Sequence, residues 1–270
     1  MRALSEEYVT EPKHLLRAGS GSPLVLFHGI TCSGRVWRSV LPYLVEHHEV
    51  IMPTALGHHG GETPRTFPVR IRDVVDDAER TLDRLGLDQA HLAGNSMGGW
   101  VALELARRGR ARTVCALSPA GAWEDVAETR KRLKLLVELT RRTRGVIPWL
   151  ALSSGFRRRA LRDNAVHGER LSREQFMVFI EDLLACSAAD DLLATGERLD
   201  ELRAPCPITV AWSEQDRIFP LHRHLPIARA CVPGAEFRVL PNVGHVPMID
   251  DPALVARTLI EAAGALSRAA

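Results

Sequence analysis

One short motif constrains the fold of this chain more than any other feature. Gly94 and Gly98 flank Ser96 in the pattern Gly-x-Ser-x-Gly, between an apolar run at 90–93 and a helix-like run at 100–106. A strand-to-helix turn this tight needs small residues on both sides of the serine. It raises the serine hydroxyl clear of a sheet and places it near the amino end of a helix, where backbone N–H groups favour negative charge. The motif therefore predicts a nucleophilic serine in an α/β sheet.

Candidate partners for the serine lie in two loops near the end of the chain. A serine hydroxyl is a weak nucleophile, so it needs a base and a carboxylate that orients the base. The strand-like segment 207–212 is followed by Glu214 and Asp216, and the strand-like segment 236–240 is followed by His245. Catalytic groups concentrate at this edge of an open α/β sheet, and the order serine, acid, histidine is typical of such a turn. Two more remote candidates for the acid are Glu124 and Asp125.

Backbone donors for an oxyanion are expected in two places. An apolar run at 24–27 is followed by His28, Gly29 and Ile30, and Met97 comes directly after the serine. We expect the N–H groups of Ile30 and Met97 to stabilise a tetrahedral oxyanion. Loss of one such donor typically lowers the rate roughly 100- to 1000-fold. His28 is expected to order its own loop through hydrogen bonds.

Together these motifs resemble the α/β-hydrolase family, in particular its compact single-domain members that carry a cap. They are His28-Gly29, the string Gly94–Gly99, the loop 213–220 with its acid, and Gly244-His245, and they span nearly the whole chain. The resemblance implies that Ser96 is the nucleophile, Asp216 the acid and His245 the general base. It also implies a mostly parallel eight-stranded sheet flanked by helices, with a helical cap inserted after the sixth strand.

Alternation along the chain predicts where the cap lies. Strand-like and helix-like segments alternate up to about residue 122, which is typical of a parallel sheet covered on both faces. The next eighty or so residues contain no convincing strand, and Ser172 and Gln175 form a capping-box pattern that predicts the start of a helix. We therefore expect a core formed by 1–122 and 203–270 and a helical cap formed by 123–202.

The predicted cap is rich in arginine. Seven Arg or Lys residues lie between 130 and 144, and four arginines follow between 157 and 162. One interpretation is recognition of an acidic partner or substrate, such as an acyl carrier protein or an ester that bears a carboxylate. The other is a solvated helix face, partly compensated by Glu128 and Glu138.

Several residues are candidates for contact with a substrate. They are His28, Cys32, His58, Trp100, Trp123, Trp149, Phe156 and Val246. For the aromatic side chains, core packing is the alternative explanation. His59 is a further candidate beside His58. Neither this histidine pair nor His222 with His224 has the helical His/Glu pattern or the cysteine cluster of a metal site, so no metal is predicted.

Composition narrows the class of protein. The formal charge of +2 is too small to suggest nucleic-acid binding. No apolar stretch reaches the roughly 18 residues of a membrane-spanning helix, and residues 1–11 have no apolar signal core. The five cysteines are scattered and odd in number, which favours reduced thiols over a disulfide framework. We therefore expect a cytoplasmic protein, whose oligomeric state the sequence does not predict.

The sequence predicts a serine hydrolase that needs no cofactor, most simply a carboxylesterase for a small or medium acyl ester. The same machinery serves C–C, lactone, amide and thioester bonds. The string at 94–99 is similar to that of C–C bond hydrolases acting on ring-cleavage products. Those enzymes, however, carry a Gly-Pro-rich oxyanion loop and a tryptophan beside the catalytic histidine, where this chain has 30–34 and Val246. Haloalkane dehalogenases have Asp in place of Ser96. A ligand receptor on the same fold is the alternative from another class of protein.

Overall fold

The computed structural model describes residues 15–123, 126–203 and 206–264. A sheet of seven strands runs through these residues. The strands are β1 Leu15–Ala18, β2 Ser22–Phe27, β3 His48–Pro53, β4 Ala90–Asn95, β5 Ala111–Leu117, β6 Ile208–Ser213 and β7 Glu236–Leu240. Their order is β1-β3-β2-β4-β5-β6-β7. Only the pair β1–β3 is antiparallel, so the sheet is mostly parallel.

The expected number of strands and position of the cap were wrong for the described residues. The sheet has seven strands there instead of eight, and the helical segment follows the fifth strand, β5, instead of the sixth. The count of eight comes from the family resemblance and not from eight strand-like segments in the sequence. Residues 1–14 lie outside the described part of the chain. The α/β class is unaffected by this difference.

Helices flank the sheet and fill the segment between β5 and β6. They are α1 Leu41–Leu44, α2 Ile71–Arg84, α3 Met97–Arg107, α4 Ala127–Thr143, α5 Ile147–Leu150, α6 Ser154–Ala160, α7 Arg173–Ala185, α8 Ala189–Ala194, α9 Leu221–Cys231, α10 Pro247–Asp250 and α11 Pro252–Ala263. Among the described residues, none of these helices has the length and apolar character needed to cross a bilayer.

The two faces of the sheet belong to two hydrophobic clusters. Along β2, Val25 and Phe27 pack into one cluster with α2, α3 and α9, while Leu24 and Leu26 pack into the other with α1 and α11. This alternation follows from the two-residue period of a strand. All six residues of β4 and all six of β6 are buried. Because both faces are covered, the carboxyl ends of the central strands are the part of the sheet left for a site.

The helical segment between β5 and β6 is held to the core by a few specific contacts. Helix α7 begins at the predicted capping box, in which Gln175 N–H donates to Ser172 Oγ and Ser172 N–H donates to Gln175 Oε1. On this helix Phe176 and Leu183 are buried. The carboxylate of Asp250 accepts hydrogen bonds from the N–H groups of Val166 (3.0 Å) and His167 (2.7 Å). The segment thus packs over the carboxyl edge of the sheet, and the domain boundaries at 123 and 202 remain a prediction.

Candidate active site

Ser96 stands on a strained turn between β4 and α3. Its φ of 55° and ψ of −118° lie in a region that residues other than glycine seldom adopt. A Cβ atom on Gly94 would collide with the backbone of Gly98, and one on Gly98 would collide with the carbonyl of Phe27. The turn therefore packs directly against its neighbours. These two contacts explain why the sequence places glycine on both sides of the serine.

His245 and Asp216 form a buried pair at the same edge of the sheet. His245 Nδ1 lies 2.7 Å from Asp216 Oδ2, and the Asp216 side chain has no exposed surface. The other carboxylate oxygen accepts the N–H groups of Ile218 (2.9 Å) and Phe219 (2.7 Å). These three bonds fix the carboxylate. A proton on Nδ1 that donates to Asp216 leaves Nε2 as the free acceptor of the ring, which is the tautomer that a general base needs.

The structure separates the two candidate acids of the β6 loop. Glu214 is exposed, and its Oε2 accepts the N–H of Asn242 at 2.9 Å. It therefore supports the turn after β7 and does not contact His245. Asp216 is the carboxylate that contacts the histidine. The remote candidates Glu124 and Asp125 lie outside the described residues.

The loop after β2 lies directly against the nucleophile turn. A Cβ placed on Gly29 would be 3.3 Å from the Cβ of Ser96, so only glycine fits there without displacing the serine. Ile30 and Met97, the two expected oxyanion donors, both line the cavity that holds Ser96. Met97 is the first residue of α3, where backbone N–H groups have no partner within the helix. The two N–H groups therefore belong to elements that meet at the serine.

Asn95 joins the serine turn to the histidine loop. Its side-chain amide donates to the carbonyl of His245 at 2.8 Å and to the carbonyl of Leu117 at 3.3 Å. Asn95 is the last residue of β4 and is buried. The residue next to Ser96 thus holds the backbone of His245.

A cavity of about 610 Å3 lies between the sheet edge and the helical segment. Ser96 and His245 are among its lining residues. Much of the wall is apolar and comes from the helical segment, including Phe176, Phe179 and Ile180 of α7. The volume is within the range of small-molecule sites, roughly 300–1,000 Å3. The site can therefore hold a mainly apolar molecule with one reactive group at the serine.

The comparisons with known proteins agree with this arrangement. The family model described as the alpha/beta hydrolase family matches residues 24–258. The chain belongs to this family. The hydrolase is 34% identical over 194 residues, 66% of its chain and 88% of the relative, to "Epoxide hydrolase EphH" of Mycobacterium tuberculosis. It is 27% identical over 243 residues, 86% of its chain and 84% of the relative, to 2-hydroxy-6-oxo-6-phenylhexa-2,4-dienoate hydrolase of Burkholderia cepacia.

A solved structure extends the likeness to the whole fold. The hydrolase matches a thermophilic esterase from Thermogutta terrifontis with a TM-score of 0.71 and 23% identity, over 92% of its own chain and 91% of that chain. The family and the α/β class predicted from the motifs are therefore confirmed.

Of the predicted pocket residues of the hydrolase, most line the cavity and three do not. Those that line it are Cys32, Trp100, Trp123, Phe156 and Val246. His28, His58 and Trp149 lie outside its lining. Trp149 is 75% exposed and points to solvent from α5. Sequence alone does not show which side of a short helix faces inward.

His28 is buried as a structural group. Its Nδ1 lies 2.8 Å from the carbonyl of Gly29, and its Nε2 accepts the N–H of Ala55 at 2.9 Å. Burial and the neighbouring His58 lower the pKa of His28 to about 3, although the bond to Gly29 opposes the shift. Both ring nitrogens are thus engaged in holding the loop, as expected for that residue from its position, and neither is free for a substrate.

His58 and Cys186 lie close enough to influence each other's pKa, a relationship that sequence reasoning missed. Burial raises the pKa of the Cys186 thiol, but the His58 ring and the backbone N–H groups of Thr31 and Ala188 outweigh it, so the pKa is lowered. Burial alone would lower the pKa of His58, but the interaction with Cys186 outweighs burial, so the pKa of His58 is raised. Cys186 follows the end of α7. The spacing of 128 positions between the two residues gives no signal of this relationship.

A second polar cluster joins α7 to the oxyanion loop. Asp182, which is buried, accepts a hydrogen bond from Ser33 Oγ at 2.7 Å and contacts His59 Nδ1 at 3.0 Å. Arg35 also donates to this carboxylate. His59 is therefore paired with Asp182 at the margin of the loop and is not part of the cavity lining. The cluster fixes α7 over the site.

Proposed function

We propose that this chain is a serine hydrolase that cleaves a carboxylic ester through an acyl-enzyme, with Ser96, His245 and Asp216 as its catalytic triad. One observation carries the proposal. Asp216 and His245 form a buried pair whose side chains lie 2.7 Å apart. His245 lines the same cavity as Ser96, which is held at positive φ. A nucleophile, a base and an orienting carboxylate are the parts that acyl transfer requires.

Each group has one task in the proposed reaction. Nε2 of His245 takes the Ser96 proton as Oγ attacks the ester carbonyl, and the C=O electron pair moves onto the carbonyl oxygen. The tetrahedral intermediate collapses by breaking the bond to the alcohol, which leaves with the proton from His245. Water then gives a proton to His245 and attacks the acyl-enzyme. A second collapse releases the acid and returns the proton to Ser96.

The N–H groups of Ile30 and Met97 stabilise the oxyanion in both steps. Their positions on the two elements that meet at Ser96 support this role. Donors of this kind act on charge that develops only in the transition state, which is why they accelerate the chemical step. Asp216 holds the imidazole in the productive tautomer and stabilises the imidazolium that forms.

The helical segment acts as the cap that selects the acyl group. Its apolar residues supply much of the wall around the cavity, and Phe156 meets Phe176 edge-to-face at 6.0 Å. On the core side, Trp100 meets Trp123 edge-to-face at 5.7 Å. Rigid aromatic walls bury an apolar acyl chain and remove its surface from bulk water. We therefore favour a small or medium acyl ester as substrate.

The names of the relatives suggest two other bonds that the enzyme could cleave, the C–O bond of an epoxide and a C–C bond. A serine oxygen that opens an epoxide would form an ether, which this machinery does not hydrolyse, so an acyl compound suits Ser96 better than an epoxide. The relative that carries a dienoate name makes cleavage of a C–C bond next to a carbonyl the second candidate. It would use the same serine and the same oxyanion donors.

The proposal is tested with a fluorophosphonate probe and nitrophenyl esters of graded chain length. We expect the wild type to be labelled and to turn over esters, and Ser96→Ala to lose both. Ser20→Ala, at an exposed position remote from the site, is the matched control and should behave as wild type. Styrene oxide and a dienoate ring-cleavage product complete the substrate set.

Each outcome decides between classes of function. Serine-dependent turnover of esters supports the proposal. Serine-dependent turnover of the dienoate alone would replace it with C–C hydrolysis. Labelling of Ser96→Ala at the wild-type rate would overturn the assignment of Ser96 as the nucleophile. Turnover of no substrate by a correctly folded protein that the probe does not label would favour a ligand-binding role on this fold.

A further inference from the structure

One surface of the helical segment is unusually apolar for an exposed region. Seven of the ten large hydrophobic side chains that are exposed among the described residues lie between 135 and 152. We call these seven the apolar cap surface: Leu135, Leu136, Leu139, Val146, Trp149, Leu150 and Leu152. Each is at least 42% exposed, and Trp149 reaches 75%. A concentration of exposed apolar side chains in one segment is typical of an interaction surface.

The apolar cap surface adjoins the cavity. Leu136, Leu139 and Leu150 belong to the surface and also line the cavity that holds Ser96. Helix α4 buries only Thr140 among its seventeen residues. The surface and the cavity therefore share these three apolar side chains.

The same segment concentrates positive charge. Residues 127–162 contain eleven Arg or Lys and two Glu, although the whole chain carries a formal charge of only +2. Asp190 pairs with Arg130 and Lys134, and Glu138 pairs with Arg142, so part of this charge is compensated. Near the arginines at 157, 158, 159 and 162 lie three acids, Asp163, Glu169 and Glu174, which compensate part of their charge. A large positive excess therefore surrounds the apolar cap surface.

From this combination we propose that the apolar cap surface docks the enzyme on an anionic lipid surface, from which the ester substrate enters the cavity. The substrate part of this inference rests on the proposed function, whereas the docking part does not. Basic residues around a face that carries Trp and Leu are the pattern of an interfacial helix, in which the cations meet lipid headgroups and the apolar side chains enter the acyl boundary. Tryptophan favours that boundary because its ring is apolar and its N–H is polar.

Charge and apolar exposure together favour lipid over an acidic protein. An acidic polypeptide would neutralise the arginines, but its carboxylates would not bury the apolar side chains of Leu135, Trp149 and Leu152. A lipid surface satisfies both sets of side chains at once, because negative headgroups and hydrocarbon lie within a few ångströms of each other. Self-association through the patch would bring the cationic faces of two copies together, which is electrostatically unfavourable.

Vesicle sedimentation tests the docking. The vesicles consist of phosphatidylcholine alone or of phosphatidylcholine with phosphatidylglycerol, and the protein carries Ser96→Ala so that lipid is not hydrolysed. We expect binding at least about tenfold stronger to the anionic vesicles, weakened by added salt. The variant W149S/L152S should lose about tenfold in binding. K131E/R144E should lose a similar factor.

Two controls keep the result specific. Tyr43 is also exposed, at 49%, but it lies on α1 and not in the helical segment. Tyr43→Ser should therefore bind vesicles as the parent protein does. In the active enzyme, W149S/L152S should hydrolyse a water-soluble nitrophenyl ester at the wild-type rate, because neither residue lines the cavity. Its activity should fall only on ester presented in anionic vesicles.

Several outcomes would overturn the docking proposal. They are equal binding to neutral and anionic vesicles, binding to neither, or vesicle binding unaffected by both double variants. Binding to polyglutamate without binding to vesicles would assign the surface to an acidic protein instead. A concentration-dependent dimer that W149S/L152S abolishes would assign it to a second copy. Vesicle binding by an enzyme that hydrolyses no ester would leave the docking intact and overturn only the proposed function.

Discussion

The side-chain amide of Asn95 donates a 2.8 Å hydrogen bond to the backbone carbonyl of His245, so the residue beside Ser96 holds the loop that carries this histidine. The bond joins two elements that are 150 positions apart in the chain. It therefore links the backbone of the turn at Ser96 to the backbone of the loop that carries His245.

Removal of this bond should impair catalysis more than binding. Asn95→Ala frees the His245 carbonyl, and displacement of a catalytic group by about 1 Å lowers rates by up to about 100-fold. We expect kcat for a nitrophenyl ester to fall between about 10- and 100-fold with KM nearly unchanged. Gln89→Ala is the control, because Gln89 makes the same kind of bond, to the carbonyl of Gly109, on the surface. An unchanged kcat in Asn95→Ala would refute the positioning role.

Asp216→Asn should leave the fold intact and nearly abolish turnover. The amide oxygen can still accept the N–H groups of Ile218 and Phe219, so the loop keeps its shape. The amide N–H₂ would face Nδ1 of His245 and favour the wrong tautomer, which lowers kcat by about 10⁴-fold in triads of this kind. Steady-state kinetics on a nitrophenyl ester measures the effect.

The matched control for that variant is Glu214→Gln in the same loop. Glu214 accepts a hydrogen bond from Asn242 N–H and does not contact His245, so its kcat should stay within about twofold of wild type. A large loss in Glu214→Gln, with little loss in Asp216→Asn, would reverse the assignment of the acid.

Gly98→Ala should destabilise the protein by about 1–3 kcal/mol or more, because the new methyl group collides with the carbonyl of Phe27. Gly145→Ala is the matched control, since a Cβ there has no neighbour within 4 Å. Urea unfolding at neutral pH compares the two variants. Equal stability of both would show that the serine turn is looser than its contacts indicate.

Two buried histidines, His91 and His28, should make the protein less stable as the pH falls below neutral. Burial, with His48 and Arg112 nearby, lowers the pKa of His91 to about 4, and His28 has a pKa of about 3. Below pH ~6.5 the unfolded chain binds protons at these positions while the folded protein does not. The free energy of unfolding therefore decreases by up to about 1.4 kcal/mol per pH unit for each such histidine, down to the folded pKa.

Urea unfolding at pH 7 and pH 5 measures this dependence. His91→Gln keeps a polar partner for Thr113, which lies 2.9 Å from the His91 ring, and should reduce the pH dependence. His222→Gln, at an exposed position on α9, should not. A steeper dependence in His91→Gln than in wild type would contradict the direction of the shift.

Cys186 should be the thiol most reactive toward iodoacetamide in the folded enzyme. His58 and two backbone N–H groups lower its pKa, whereas burial raises the pKa of Cys115 to about 12 and raises that of Cys32 as well. A larger thiolate fraction gives faster alkylation. Mass spectrometry of alkylated peptides gives the rates, and His58→Gln should slow Cys186 by about tenfold. Faster alkylation of Cys115 would contradict this order.

The local features of the fold and site were predictable because they depend on neighbouring residues. The turn at Ser96 follows from glycines two positions away on either side, and the start of α7 follows from Ser172 and Gln175. The acid and the histidine were located because loops after parallel strands meet at one edge of the sheet. The choice of Asp216 over Glu214 rested on the family resemblance, because both acids lie in the same loop.

The remaining features depend on contacts between the helical segment and the core. The hydrogen bond between Ser33 and Asp182, and the electrostatic influence of His58 on Cys186, join residues more than a hundred positions apart, and no periodicity encodes them. Trp149 was expected in the pocket because aromatic composition does not reveal which side of α5 faces solvent. His28 was expected to order its loop, but its pKa of about 3 results from a neighbour, His58, that only the folded chain brings close.

One buried carboxylate limits how the enzyme can admit a substrate. Asp250 is 1% exposed. Its carboxylate accepts hydrogen bonds from the N–H groups of Val166 and His167 in the helical segment and from the N–H group of Gly244, next to His245. Swinging the whole segment outward would strip a charged group of its partners and disturb His245 at the same time. Any opening of the cavity that leaves His245 in place therefore has to keep the chain at 166–167 bound to Asp250.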